Sequence, residues 1–318
     1  MSEHETSLVS DDQQRTLNNC IVAWIAEQAG HTGSKQTERA YKTTITRFRE
    51  ALQASGHDLT SDATLITIAA RRWANAGQDG SEVSEATFNQ RIAILSSFYR
   101  YAMIWRLCTV NPIDTVKRRP RITHDAATPL EIPEIAAYLT AIDRETLEGQ
   151  RDYALLSVAL TTGRRVSELA GLRWSHLRMV GKKIIVTWVR CKGGKVMTDE
   201  LKPKTVSVLM GYLQTVYGAK LGSLPADAPI WISLSTNNHH GAISAQTIAD
   251  ICKRRIGTSK VHTLRHSFAV SMEKAGASLS DIGDRLGHND LKTTSDYMKQ
   301  LHSAENPYAS KLETMFGI

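Results

Sequence analysis

The chain has 318 residues, with 39 Lys and Arg against 32 Asp and Glu, a net charge of +7 and 42% hydrophobic residues. That is enough chain for two cored domains of about 100–200 residues each, and a modest positive balance bears on partners rather than on fold. Four scattered cysteines (Cys20, Cys108, Cys191, Cys252) form no C-x-x-C pair, which argues for free thiols in a reducing, cytoplasmic setting. No apolar run approaches the ~18 residues a membrane helix needs.

The polar start, residues 1–13, is expected to be a flexible N-terminus. Four helices are expected over 14–110, making a small bundle. Leu17, Ile21, Trp24 and Ile25 suggest the first, and residues 64–76 hold another. "KQTERAYKTTITRFREALQASG" sets Tyr41, Ile45, Phe48 and Leu52 on one stripe with Gly56 as a stop. "SEATFNQRIAILSSFYRYAMIWRL" repeats the pattern through Phe88, Ile92, Leu95 and Ala102, with Ser84 as its cap.

The texture then changes. "NPIDTVKRRPRITHDAATP" has three prolines, four basic residues and no helical stripe, so residues 111–127 are expected to be a linker. Its cluster Lys117, Arg118, Arg119 and Arg121 is a candidate for contacting phosphates, and a solvated tether fits the same composition.

From 128 to 318 helix and strand mix. Segments 131–142 and 151–161 read as helices, and "TTGRRVSELAGLRW" breaks one helix at Gly163 and opens the next. "KKIIVTWV" and "KVMTDELK" flank "RCKGG" as a hairpin whose tip carries Lys192 and Gly193-Gly194. Helices return from 244. The fold class is therefore mainly α, a helical bundle followed by an α-rich domain with a small antiparallel sheet.

The second half concentrates cations. "HTLRHSFAV" places His262 and Arg265 three residues apart on one helix face, Arg164 and Arg165 follow a Thr-Thr-Gly break, Lys192 sits at the hairpin tip and "LGHND" carries His288. Tyr297 follows His288 by nine residues. Taken singly, His262 reads as a helix-end residue, Arg265 as a surface charge and Tyr297 as a core or rim aromatic. Taken together, arginines, histidines and a lysine can neutralise a phosphate transition state without a metal while a tyrosine attacks. No H-E-x-x-H or paired Cys/His motif is present, so no metal and no cofactor are expected.

"TTGRRVSELAGLRWSHL", "RCKGGK", "HTLRHSFAV" and "LGHNDLKTTSDY", in that order and spacing, resemble the tyrosine recombinase, or phage integrase, family in its two-domain form with a SAM-like core-binding domain. The resemblance covers the catalytic domain from about 128 to 300. It implies that Arg165, directly before "VSEL", is the first catalytic arginine and Lys192 the general acid for the departing 5′ oxygen. It likewise assigns His262 and Arg265 to the H-x-x-R pair, His288 to the second histidine, Tyr297 to the nucleophile and Glu168 to a supporting carboxylate. Two departures stand out, His176 where many relatives have Asp and Cys191 where many have Gly. The implied activity is site-specific cleavage and rejoining of double-stranded DNA through a 3′-phosphotyrosine. The implied assembly is a tetramer on paired sites, joined through a C-terminal helix whose Leu312, Met315 and Phe316 form an apolar stripe. A type IB topoisomerase or telomere-resolving enzyme shares the chemistry. A regulator on a dead recombinase fold would have lost one of these groups, and all stand here. A first helix near residue 14 leaves too little chain for a separate arm-binding domain, which points to a short core site.

Overall fold

The computed structural model describes residues 11–32, 35–77, 79–120, 128–189 and 195–287, with positions 294, 295, 298 and 315. The chain divides into two compact units, 1–124 and 125–318, each with its own hydrophobic core.

The first unit holds α1 (Asp11–Thr32), α2 (Lys35–Gln53), α3 (Ala63–Asn75) and α4 (Glu85–Ile104). Sequence dictates their ends. Asp62 accepts from the Thr64 and Leu65 amides to cap α3, Ser84 accepts from Thr87 to cap α4, and Gly56 takes φ +76° after α2. The expected stripe of α2 points inward, with Ile45, Phe48 and Leu52 buried. Trp24 packs against Tyr41 at 5.1 Å and edge-on to Phe98 at 5.4 Å, a geometry that adds to the area the rings bury.

The segment expected as linker begins as part of this unit. Asn111 is buried, donates through Nδ2 to Ser96 Oγ (2.9 Å) and Asp114 Oδ1 (2.7 Å), and accepts from the Ile113 amide; Ile113 itself lies in the core. Asn89 then brackets Arg119, accepting from its amide and donating to its carbonyl. Residues 111–119 are thus fastened by hydrogen bonds that a composition-based reading cannot see.

In the second unit α5 (Ile132–Thr140), α6 (Leu147–Thr162) and α7 (Val166–Ala170) precede a three-stranded antiparallel sheet, β1 (Leu177–Val180), β2 (Lys183–Trp188) and β3 (Met197–Leu201), in the order β1-β2-β3. The β2–β3 pair is the expected hairpin, in register from Ile184 opposite Leu201 to Trp188 opposite Met197. Its tip, residues 190–194 with Lys192 and Cys191, lies outside the described residues. Strand β1 was not expected from the sequence. It is short and mostly exposed, and reaches β2 through the two-residue turn Gly181-Lys182, with Gly181 at φ +57°. Then come α8 (Pro203–Tyr217), α9 (Ala245–Ile256), α10 (His262–Lys274) and α11 (Leu279–Leu286). Helix α6 is buried along most of its length and packs on α8 and α10.

One carboxylate locks α6 to α9. Asp152 is fully buried and accepts from Arg151 (Nε 3.0 Å, Nη2 2.8 Å), Arg254 (3.0 Å) and Arg255 (2.9 Å). Asp152→Ala should remove the main partner of the buried Arg151, leaving it the longer pair with Glu148 (3.7 Å), and cost about 3 kcal/mol. Urea unfolding followed by tryptophan fluorescence measures this, with Asp152→Asn expected to lose less because it keeps an acceptor.

Candidate active site

The site starts where α6 stops. Gly163 adopts the left-handed conformation (φ +63°), its N–H closing on Ala159 O. A Cβ there would run into the Phe268 ring of α10, so glycine answers both the turn and the close approach of the next helix. Arg164 and Arg165 follow in different environments. Arg164 is buried and donates from Nε to Asp199 Oδ2 on β3 (2.6 Å). Arg165 is the N-cap of α7 and stays partly exposed. Its amide donates to Glu168 Oε2 (2.9 Å) and its Nη1 to Glu168 Oε1 (3.2 Å). The buried Glu168 therefore holds both the backbone and the head group of Arg165, the expected i,i+3 support.

His262 opens α10 and Arg265 lies one turn on. Arg265 is not the surface charge it resembles in isolation: it is 5% exposed, and donates from Nη1 to Gly163 O (2.8 Å) and from Nη2 to Leu286 O (2.6 Å). Both carbonyls sit at helix C-termini, where partial negative charge suits a cation. The turn before Arg165, the H-x-x-R pair and the end of α11 thereby share one guanidinium. Desolvation, then the charges of Arg265 and Arg165, lower the pKa of His262, so its imidazole is neutral at pH 7 and both arginines act on it. The expected residues Arg165, Glu168, His262 and Arg265 are brought together.

His288, Tyr297 and Lys192 lie outside the described residues, as do Arg121, Tyr308 and the C-terminal stripe apart from the exposed Met315. Their anchors are described. Gly287 caps α11 at φ +66° directly before His288, Met298 beside Tyr297 is buried, and Trp188 and Met197 close the base of the Lys192 hairpin. At the departure position, His176 Nδ1 accepts from the Arg173 amide (3.2 Å), so it serves as an acceptor at the turn. Among the described residues no group of three metal-ligating side chains occurs, and no helix is long and apolar enough to cross a membrane.

In the first unit, Lys117 and Arg118 are exposed. Arg119 has a different occupation, with its guanidinium 4.3 Å over the Phe88 ring and donating to Asn75 Oδ1. A concavity of about 850 Å³ runs beside them, lined also by Arg71 and Arg72 of α3. Sequence reading missed those two. The "RR" pair was visible, but on an amphipathic helix it reads as a solvated face.

A helical bundle is followed by an α-rich unit in which Arg165, His262 and Arg265 converge, a set of donors suited to an anionic group such as a phosphate. Comparison narrows the reading. Residues 129–303 match the Phage integrase family and residues 21–104 its N-terminal SAM-like domain. Tyrosine recombinase XerC of Syntrophus aciditrophicus is 30% identical over 222 residues, covering 68% of this chain and 70% of that one. Tyrosine recombinase XerC of Pelobacter propionicus is 29% identical over 270 residues, covering 83% and 84%. In fold, the chain is similar to a lambda integrase tetramer bound to a Holliday junction (TM-score 0.62, 17% identity, covering 88% and 76%). The chain belongs to the phage integrase family and is a tyrosine site-specific recombinase.

His266, on α10 behind His262, has its pKa lowered to about 4 by desolvation, then by His262 and Arg265. The unfolded chain binds that proton near pH 6.5, so stability is complete above 6.5 and falls as pH drops toward 4. From pH 7.5 to 5 the wild-type protein should lose about 1–2 kcal/mol more than His266→Gln, measured by urea unfolding at each pH. Equal losses would remove His266 from that role.

Proposed function

We propose that Tyr297 attacks a DNA phosphate held by Arg165 and Arg265, giving a 3′-phosphotyrosine that the 5′ hydroxyl of a second strand resolves. The observation that carries this reading is Arg265 bonded at once to Gly163 O and Leu286 O. It fixes beside Arg165 the segment that runs on to His288 and Tyr297. Arg165 rather than Arg164 faces the phosphate, because Arg164 is committed to Asp199 in the core whereas Arg165 is partly exposed and oriented by Glu168. Tyrosine is a poor nucleophile near neutral pH, with a pKa near 10, so the phosphate must first lose effective charge to the two guanidinium groups. Neutral His262 can accept or donate a hydrogen bond as charge develops, and His288 supplies a second imidazole. Lys192 protonates the leaving 5′ oxygen.

The first unit adds binding rather than chemistry. Lys117 and Arg118, with Arg121, contact phosphates along one duplex while Arg119 holds their segment on Phe88 and Asn75. The complete reaction takes a tetramer on paired sites, with the C-terminal stripe docked on the neighbouring protomer, an assembly supported by the tetrameric state of lambda integrase. The three described cysteines are free, which suits a protein working on cytoplasmic DNA.

Tyr297→Phe should bind site DNA and form no covalent adduct on a nicked suicide substrate, whereas Tyr308→Phe should form it; adducts in the first variant and none in the second would reverse the assignment. The Lys117→Ala/Arg118→Ala pair should weaken binding to cognate and random DNA alike and lower the salt slope by about 2, at roughly 0.9 per phosphate contact. A loss confined to cognate DNA, with an unchanged slope, would mean that these residues read sequence.

A further inference from the structure

We infer that Asp199, a residue the proposed chemistry does not use, is a positioning residue that holds the Lys192 hairpin against the arginine turn and the end of α11. The carboxylate is buried on β3 and gathers groups from three elements. Its Oδ2 accepts from Arg164 Nε (2.6 Å), the residue before Arg165, and from Trp188 Nε1 (2.7 Å), on β2 four residues before Lys192. Its Oδ1 lies 3.5 Å from Arg285 Nη1 on α11, three residues before His288. Two residues earlier on the same strand and face, Met197 repeats the connection. Met197 receives Arg164 Nη1 at its sulfur (2.9 Å), and that sulfur stands 2.6 Å from where a Cβ on Gly287 would lie, too close for any residue but glycine there. Strand β3 is therefore pinned on one side to the turn that presents Arg165 and on the other to the residue before His288, while Trp188 carries the same clamp to the opposite strand of the hairpin.

The chemistry favours a clamp over simple core filling. Hydrogen bonds to an ionised carboxylate are the strong and directional ones, and an ion pair in the interior fixes geometry at some cost in stability relative to apolar residues of the same volume. Misplacement of a proton donor by about 1 Å costs about 10²-fold in rate, so a carboxylate that fixes the base of the hairpin bears on the chemistry at its tip. Arg164 is 3% exposed and among the described residues its Nη2 meets no hydrogen-bond partner, so its described bonds are those to Asp199 and Met197, with the Trp188 ring 5.9 Å beneath it.

This inference rests on the reading of Lys192 as general acid, and the test separates the two. Single-turnover cleavage is measured on a nicked suicide substrate with a natural 5′ oxygen or a 5′-bridging phosphorothiolate, whose sulfur leaves without a proton. Asp199→Asn should cleave the natural substrate at least 10-fold slower than wild type and come within about 3-fold of wild type on the phosphorothiolate. Trp188→Phe, which keeps a ring and removes one donor, should show the same pattern with smaller amplitude if Asp199→Asn folds poorly. Equal slowing on both substrates, while Lys192→Ala is rescued, overturns the inference. Limited proteolysis of the DNA complex reads the same clamp without passing through catalysis. Cutting within 189–196 should rise several-fold in Asp199→Asn, with the rest of the chain cut at the wild-type rate, and unchanged cutting also overturns the inference. If cutting rises but neither Lys192→Ala nor Asp199→Asn is rescued, the clamp stands and the general-acid reading of Lys192 falls.

Discussion

Arg265 holds the carbonyls that close two helices, Gly163 after α6 and Leu286 at the end of α11, and the geometry of the site depends on those two bonds. A guanidinium is planar and keeps its charge at any physiological pH, so two carbonyls bound to it fix its plane and the separation of the helix ends. Helix C-termini offset part of the cost of burying the cation. The reward is preorganisation: donors already set do not have to be reordered when an anionic group meets them. Gly163 takes part twice, as acceptor for Arg265 and as the only residue type that lets Phe268 approach the turn.

What the sequence made legible follows from the range of each signal. The first unit's helices were readable because their apolar residues recur at helical spacing and their caps sit within three residues of the start, as Asp62 and Ser84 do. The hairpin around Lys192 was readable from two β-branched runs about a glycine pair. Strand β1 was not, since four mostly exposed residues leave no alternation to detect, although Gly181 in a two-residue turn was a usable sign. Arg265 was legible as part of a motif but not as a buried group, because its partners are backbone carbonyls 102 and 21 residues away and such acceptors leave no trace in side-chain identity. Separation along the chain hid Asp199 and Asp152, whose arginine partners lie up to 103 residues off. Arg119 stood in a basic run that reads as one cluster, and only packing separates its role from that of Lys117 and Arg118.

Two aspartates thus organise the second unit in different ways. Asp152 joins helices deep in the unit, where its three arginines give mechanical continuity from α6 to the end of α9, a few residues before His262. Asp199 joins thin elements, a strand, the turn before Arg165 and the short helix α11. The first arrangement supports the core, and the second supplies registration, in keeping with the uses of buried ion pairs for specificity more than for stability.

The separation of arginines into buried and exposed kinds has a consequence for ionic strength. Raising salt from 0.15 to 1 M shortens the screening length from about 8 to about 3 Å, which strips counterion-driven contacts such as those open to Lys117 and Arg118. The arginines around Asp152 sit in direct contact with a carboxylate that water does not reach, so the added ions do not enter between them. Salt at that level should therefore weaken contacts made by exposed cations well before it loosens the pairs that Asp152 holds.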